Sequence, residues 1–401
     1  MPAAEEFGST DPRVAETLND LATVVQIRGR YEEAESLFRR AVTIWNQHSK
    51  DYRLELAVGL CNLATVLRLR GQFAEAERFQ LQAIDIERAV LPPEHPLALE
   101  TLYGLGAIRA AAGRWEEAEA TLRQVLTAQR KVLGADHPSV AKTSSDLGHV
   151  YYLLGRYAEA EPLYRRALVI REKVFGPEHV EVGLTLIKLA ELQRVEGFSS
   201  EAERLWKRAI RILEAALGSD HPLVGTALNN LGVLYTAQGK IDQAEALYRR
   251  VLEIQQKALA ADHLDMARTL NNLAGVFQRR GQYLEAENLY LRVLAIQEVK
   301  LGKEHFEIPR TWNNLAEAYF AEGRLEEAES LYVRALALQE KTLRTAHPDK
   351  ATTLYNYAEL LRRTHRKGEA RKLVRRASQI DSQIGGDRSS RYTVSFQDIQ
   401  K

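Results

Sequence analysis

Seven of the ten histidines, His95, His137, His179, His221, His263, His305 and His347, fall at one phase of a 42-residue period. Imidazoles in that number invite a metal site, but one zinc needs each ligand within about 2.1 Å. Helices packed in successive units stand about 8 to 10 Å apart, so residues at one phase cannot converge on a single ion. A helix-start role fits better. Asp11 holds the same phase at the head of the series with Pro12 behind it, and an acceptor followed by a first-turn proline is an N-cap arrangement. Neither a metal nor a cofactor is expected.

Other catalytic patterns are missing. Gly239-Lys240 resembles the end of a phosphate loop, yet Leu234 stands where its first glycine belongs and Ile241 where Ser or Thr should follow. There is no zinc-protease histidine pair and no Gly-x-Ser-x-Gly elbow. Cys61 is alone, which rules out an intramolecular disulfide framework and points to a reducing compartment; it is expected to be a small packed residue. The chain is accordingly read as a non-enzyme.

The elements behind this spacing are regular. Gly29, Gly71, Gly113, Gly155, Gly197, Gly239, Gly281 and Gly323 mark the same period, and His365 replaces the ninth glycine. Five residues later each unit carries an alanine, from Ala34 to Ala370. Before Gly239, Leu228, Leu231, Gly232 and Tyr235 make one helical stripe; after it, Ala244, Leu247, Tyr248, Val251, Leu252 and Ile254 make another. Each unit is thus an αα-hairpin with the glycine at its turn, too apolar to stand alone. The expected fold is an all-α α-solenoid of nine antiparallel hairpins over residues 11–382, with a lead-in over 1–10 and a polar, disordered tail over 383–401.

The phrases GADHPSVAKTSSDLGHVYYLLGRYAEAEPLYRRALVI and GSDHPLVGTALNNLGVLYTAQGKIDQAEALYRRVLEI resemble tetratricopeptide repeats of the kinesin light chain type. The usual tetratricopeptide period is about 34 residues, shorter than the spacing here. The resemblance implies a right-handed superhelix with a concave groove lined by the first helix of each hairpin. It also implies that groove Asn and basic residues, here Asn230, Asn272, Asn314, Arg268 and Arg310, hold short aromatic-acidic peptides of a partner protein. A long heptad segment would precede the repeats in a motor subunit; ten residues leave no room for one, so that role is not expected.

Charge excludes little. Fifty-five Lys and Arg against 54 Asp and Glu leave a net charge of +1, with no overall nucleic-acid or membrane signature. No apolar run reaches 18 residues and the first residues lack a secretory pattern, so a cytoplasmic protein without a membrane span is expected.

Opposite the core stripe, taking 100° per residue, lie Thr226, Asn230, Val233 and Ala237. The same phases give Leu153, Leu184, Lys188 and Val195 in earlier units, then Arg268 with Asn272 and Arg279, Arg310 with Asn314 and Glu317, and Asn356 with Arg363. Asparagine offers a donor and an acceptor to an extended peptide, and an arginine one turn away can hold a carboxylate. Asn229, Asn271 and Asn313 are expected to bond between units instead. No carboxylate other than Glu317 is expected to neutralise Arg268 or Arg310. The alternative partner is an anionic surface, RNA or lipid, bound through Arg371, Lys372, Arg375 and Arg376 near the C-terminus. Glu35 with Arg39, Glu161 with Arg165, Glu203 with Lys207 and Glu245 with Arg249, spaced i to i+4, read as a solvated outer face.

Overall fold

The computed structural model describes residues 8, 10–258, 260, 262–343 and 347–383. Among them run eighteen α-helices, paired in order into nine hairpins. They divide into two compact units that part between Pro177 and Glu178. The first unit holds α1 (Pro12–Ile27), α2 (Tyr31–Gln47), α3 (Arg53–Leu69), α4 (Phe73–Arg88), α5 (Pro96–Ala111), α6 (Trp115–Val132), α7 (Pro138–Leu153) and α8 (Tyr157–Phe175). The second holds α9 (Val180–Val195), α10 (Ser199–Leu217), α11 (Pro222–Ala237), α12 (Ile241–Ala258), α13 (Leu264–Arg279), α14 (Tyr283–Leu301), α15 (Ile308–Glu322), α16 (Leu325–Thr342), α17 (Pro348–Arg363) and α18 (Lys367–Gln383). Residues 384–401, expected to form a disordered tail, lie outside the described residues.

Local chemistry closes each hairpin. His221 Nδ1 accepts from the Leu223 N–H at 3.2 Å, and His95, His137, His179, His263 and His347 cap their helices in the same way. His305 keeps the bond, from the Glu307 N–H at 3.3 Å, although α15 starts only at Ile308. At the far end of α11, Gly239 takes φ 73° and the Lys240 N–H reaches back to the Tyr235 carbonyl at 2.9 Å, so the last carbonyls find donors. His365 adopts the same left-handed backbone, φ 62°, without the freedom of a glycine.

Packing within a hairpin is close. Any Cβ on Gly232 would stand 2.8 Å from the Tyr248 ring, which explains the Leu-Gly pair opposite a buried aromatic. Tyr164, Trp206, Tyr248, Tyr290 and Tyr332 fill that phase in successive hairpins and are all fully buried. Between hairpins, buried hydroxyl–amide bonds recur, with Thr143 donating to Gln129 at 2.8 Å and Thr311 to Gln297 at 2.9 Å.

One expectation is corrected here. Three of the glutamates read as an outer solvated face, Glu35, Glu203 and Glu245, also clasp the next hairpin, as do Glu119 and Glu287 at the same phase. Glu119 accepts from Arg156 of the next hairpin at 2.5 Å and from Tyr151 at 3.2 Å. Glu203 takes Lys240 at 3.0 Å, and Glu287 takes Arg324 at 2.7 Å and Tyr319 at 2.6 Å. Glu35 pairs with Arg70 and Glu245 with Arg280. The expected i to i+4 pairs are present as well, Glu35 with Arg39 at 2.8 Å and Glu245 with Arg249 at 2.7 Å, but the side chains of Glu35 and Glu245 keep only 11% and 14% of their exposure because each carboxylate also spans a junction.

Candidate functional site

In the first unit the groove face of α3, α5 and α7 encloses a cavity of about 330 Å³. Two departures from the repeat open it. Gln80 occupies a phase that is aromatic in six of the nine hairpins, from Phe38 to Tyr332, and Gly104 occupies the phase of the groove asparagines. The Gln80 amide fills the space beside Gly104, donating to the Thr101 carbonyl at 2.7 Å; a Cβ at Gly104 would meet it at 2.5 Å.

Its walls combine apolar and charged groups. Val58, Thr65, Ala107 and Ile108 supply the apolar part. Tyr103 donates to Asp146 at 2.6 Å, while the Lys142 ammonium lies 4.1 Å from the Tyr103 ring and bonds Glu100 at 2.8 Å. Burial, reinforced by the Asp146 charge, raises the Tyr103 hydroxyl far above the usual range, so it remains a donor. Arg68 lines the same cavity half-buried, and its guanidinium has no ion-pair or hydrogen-bond partner among the described residues. Cys61, which also lines the cavity, is pushed up to about 12 by burial, which keeps it a thiol and unsuited to nucleophilic work.

The second unit holds most of the residues singled out in the sequence. Asn272 donates to Asn229 at 3.1 Å, Asn314 to Asn271 at 3.1 Å and Asn356 to Asn313 at 3.3 Å. The two asparagine rows, expected to divide ligand binding from packing between them, are bonded to each other across every one of these junctions. Asn314 and Asn356 are 8% and 5% exposed, whereas Asn230 and Asn272 stay half-buried. Leu184, Lys188 and Val195 are half-buried, and Leu153, in the first unit, is exposed.

The arginines differ from expectation. Arg268, expected to meet no carboxylate other than Glu317, pairs with Asp265 one turn earlier at 3.3 Å. Arg310 is half-buried and has no ion pair among the described residues. Glu317 is no counter-charge at the surface. It is 2% exposed, accepts from Asn313 at 3.3 Å and from Asn356, and lies near Arg279. Burial pushes its carboxyl up to about 8 against those donors and the Arg279 charge, so it is a neutral acid at pH 7.

Sequence reasoning missed Arg68 and the cavity. The signal lay in two broken phases, Gln80 at one that is aromatic in most hairpins and Gly104 at that of the asparagines, which only together mark the place. No group of His, Cys, Asp or Glu among the described residues is arranged to hold a metal ion, and none of their helices is long and apolar enough to cross a membrane.

Comparison with known proteins bears on the same geometry. A tetratricopeptide repeat family model matches residues 13–89, 55–131, 97–173, 139–197, 182–257, 227–298 and 307–383. Kinesin light chain repeats from Podosopora anserina are 31% identical, covering 52% of this chain and 99% of that one, with a TM-score of 0.45. The quorum sensor NprR from B. thuringiensis superposes with a TM-score of 0.68 at 15% identity, over 91% of this chain and 98% of the other. A Rap protein complexed with competence and sporulation factor gives 0.61 at 14% identity, over 94% and 100%. No curated protein matches the chain.

Proposed function

The chain belongs to the tetratricopeptide-repeat family, its repeats of the kinesin light chain type, and we propose that this protein-interaction scaffold works without catalysis by binding an extended acidic or aromatic-acidic peptide of a partner. One observation carries the reading: two guanidinium groups, Arg68 at the cavity of the first unit and Arg310 in the second unit, are half-buried and have no ion pair among the described residues. A desolvated arginine gains most from a carboxylate supplied by a ligand. Asn230 and Asn272 retain solvent access and could bond the peptide backbone. In the second unit Leu184 and Val195 offer the apolar contact that an aromatic residue needs and Lys188 adds a cation; Leu153 offers an apolar contact in the first.

The anionic-surface alternative draws less support. Arg376 is already paired with Glu340 at 2.5 Å and Arg366 with Glu329 at 2.6 Å, so the basic C-terminal cluster is partly spent. Binding of an acidic peptide library, measured by fluorescence polarisation, tests the choice. Replacing Arg268 and Arg310 by Glu should abolish binding while the melting temperature holds, and the Arg371/Arg375 pair of reversals should leave it intact. The opposite pattern, or a steep loss with salt that tracks the C-terminal pair, would transfer the function to the anionic surface.

A further inference from the structure

We propose that the exposed face of α1 joins two copies of this chain head to head, with Val24 on the two-fold axis. Leu21, Val24 and Ile27 are 40%, 48% and 80% exposed. At the same phases of the following hairpins the ridge is covered: Leu63, Leu105 and Leu147 are 1%, 4% and 3% exposed, and Val66, Ile108 and Val150 are 0%, 1% and 1%. Leu63 and Val66 belong to one core cluster with Ala34 and Phe38 of the preceding helix α2. No described helix does this for α1. The opposite end differs, since α18 turns out exposed Arg371, Arg375, Ser378 and Gln379. The exposed face of α18 is polar, whereas that of α1 is apolar and has no covering helix among the described residues.

Charge identifies the occupant. Asp20 and Arg28 lie four residues either side of Val24, both exposed and neither in an ion pair among the described residues. Two α1 helices crossing antiparallel at Val24 set Asp20 of each against Arg28 of the other, and Leu21 against Ile27. This patch is self-complementary, as an isologous interface requires. Stacking head to tail is disfavoured by the same chemistry. From Glu35 to Glu329, eight hairpins carry glutamate at one phase, seven of them clasping a basic residue at the turn of the next hairpin, and the ninth carries Arg371. Arg371 of one copy would face Arg28 and Arg30 of the next. A single helix pair falls at the low end of specific interfaces, so the dimer is weak and reversible.

Sedimentation equilibrium of the full chain, from low to high micromolar concentration, should move from one copy to two. Val24→Asp should hold it at one. Asp20→Arg and Arg28→Asp should each weaken association by about tenfold or more, and the double exchange should restore it. Helicity and melting serve as controls, since all three residues are exposed. A monomer at every concentration, the result if a foreign helix or the chain's own first residues cover the face, overturns the proposal. So does a dimer indifferent to the single reversals, or growth beyond two copies.

Discussion

Tyr235 and Glu203 belong to different hairpins, and the tyrosine hydroxyl donates to the carboxylate across the junction at 3.0 Å. Lys207 of the same helix and Lys240 of the next turn complete the shell, at 2.7 and 3.0 Å. Lys207 foremost, then Lys240 and Tyr235, hold Glu203 down to about 2.

That shift sets a pH dependence. With the folded value below the ordinary 4.5, the unfolded chain binds the extra proton, so the stabilisation is whole above pH 4.5 and is lost as pH falls toward 2. Glu203→Gln should lower stability at pH 7 by about 1 kcal/mol and flatten the acid limb of the melting curve. Parallel acid limbs in the two proteins would refute the clasp.

Glu317 should behave in the opposite sense. Its folded value of about 8 exceeds the ordinary 4.5, so its contribution is complete below pH 4.5 and drains away as pH rises through 8. Glu317→Gln keeps the acceptor for Asn313 and Asn356 and removes the ionisation. At pH 9 the variant should melt a few degrees above the parent, and at pH 4 the two should coincide. A parent protein equally stable from pH 5 to 9 would count against the buried acid.

Backbone chemistry offers a paired test by urea unfolding. His221→Ala removes the acceptor for the Leu223 N–H and should cost about 1 kcal/mol, while His221→Asp should cost much less. His365→Gly relieves a left-handed non-glycine residue and should gain about 1 kcal/mol.

For the cavity, Arg68→Ala should weaken an acidic peptide by about 1.5 to 3 kcal/mol, the value of a charged hydrogen bond, with no change in melting. Gly104→Asn, which refills the broken phase, should block the same peptide sterically. Undiminished binding in both variants would place the ligand elsewhere.

The solenoid was legible because period, turn glycine and histidine cap are local facts repeated along the chain. Glu203 was misread for a reason of reach. Spacing i to i+4 reports Lys207 on the same helix, whereas Lys240 and Tyr235 lie 37 and 32 residues on. Comparing fixed phases across hairpins would have found them. Glu317 faced outward on an ideal wheel, yet the next hairpin covers it through Asn356, a contact that no single helix encodes. The cavity needed two absences, at Gln80 and Gly104, to be read together.

The last three junctions of the second unit are fastened twice, by the asparagine pairs Asn229 with Asn272, Asn271 with Asn314 and Asn313 with Asn356, and by the clasps of Glu245 with Arg280, Glu287 with Arg324 and Glu329 with Arg366. Ions in solution weaken partly exposed charge pairs and leave amide pairs almost untouched. Each such junction is therefore a hinge with a salt-insensitive pin and a salt-sensitive latch, and its bending stiffness should soften as ionic strength rises.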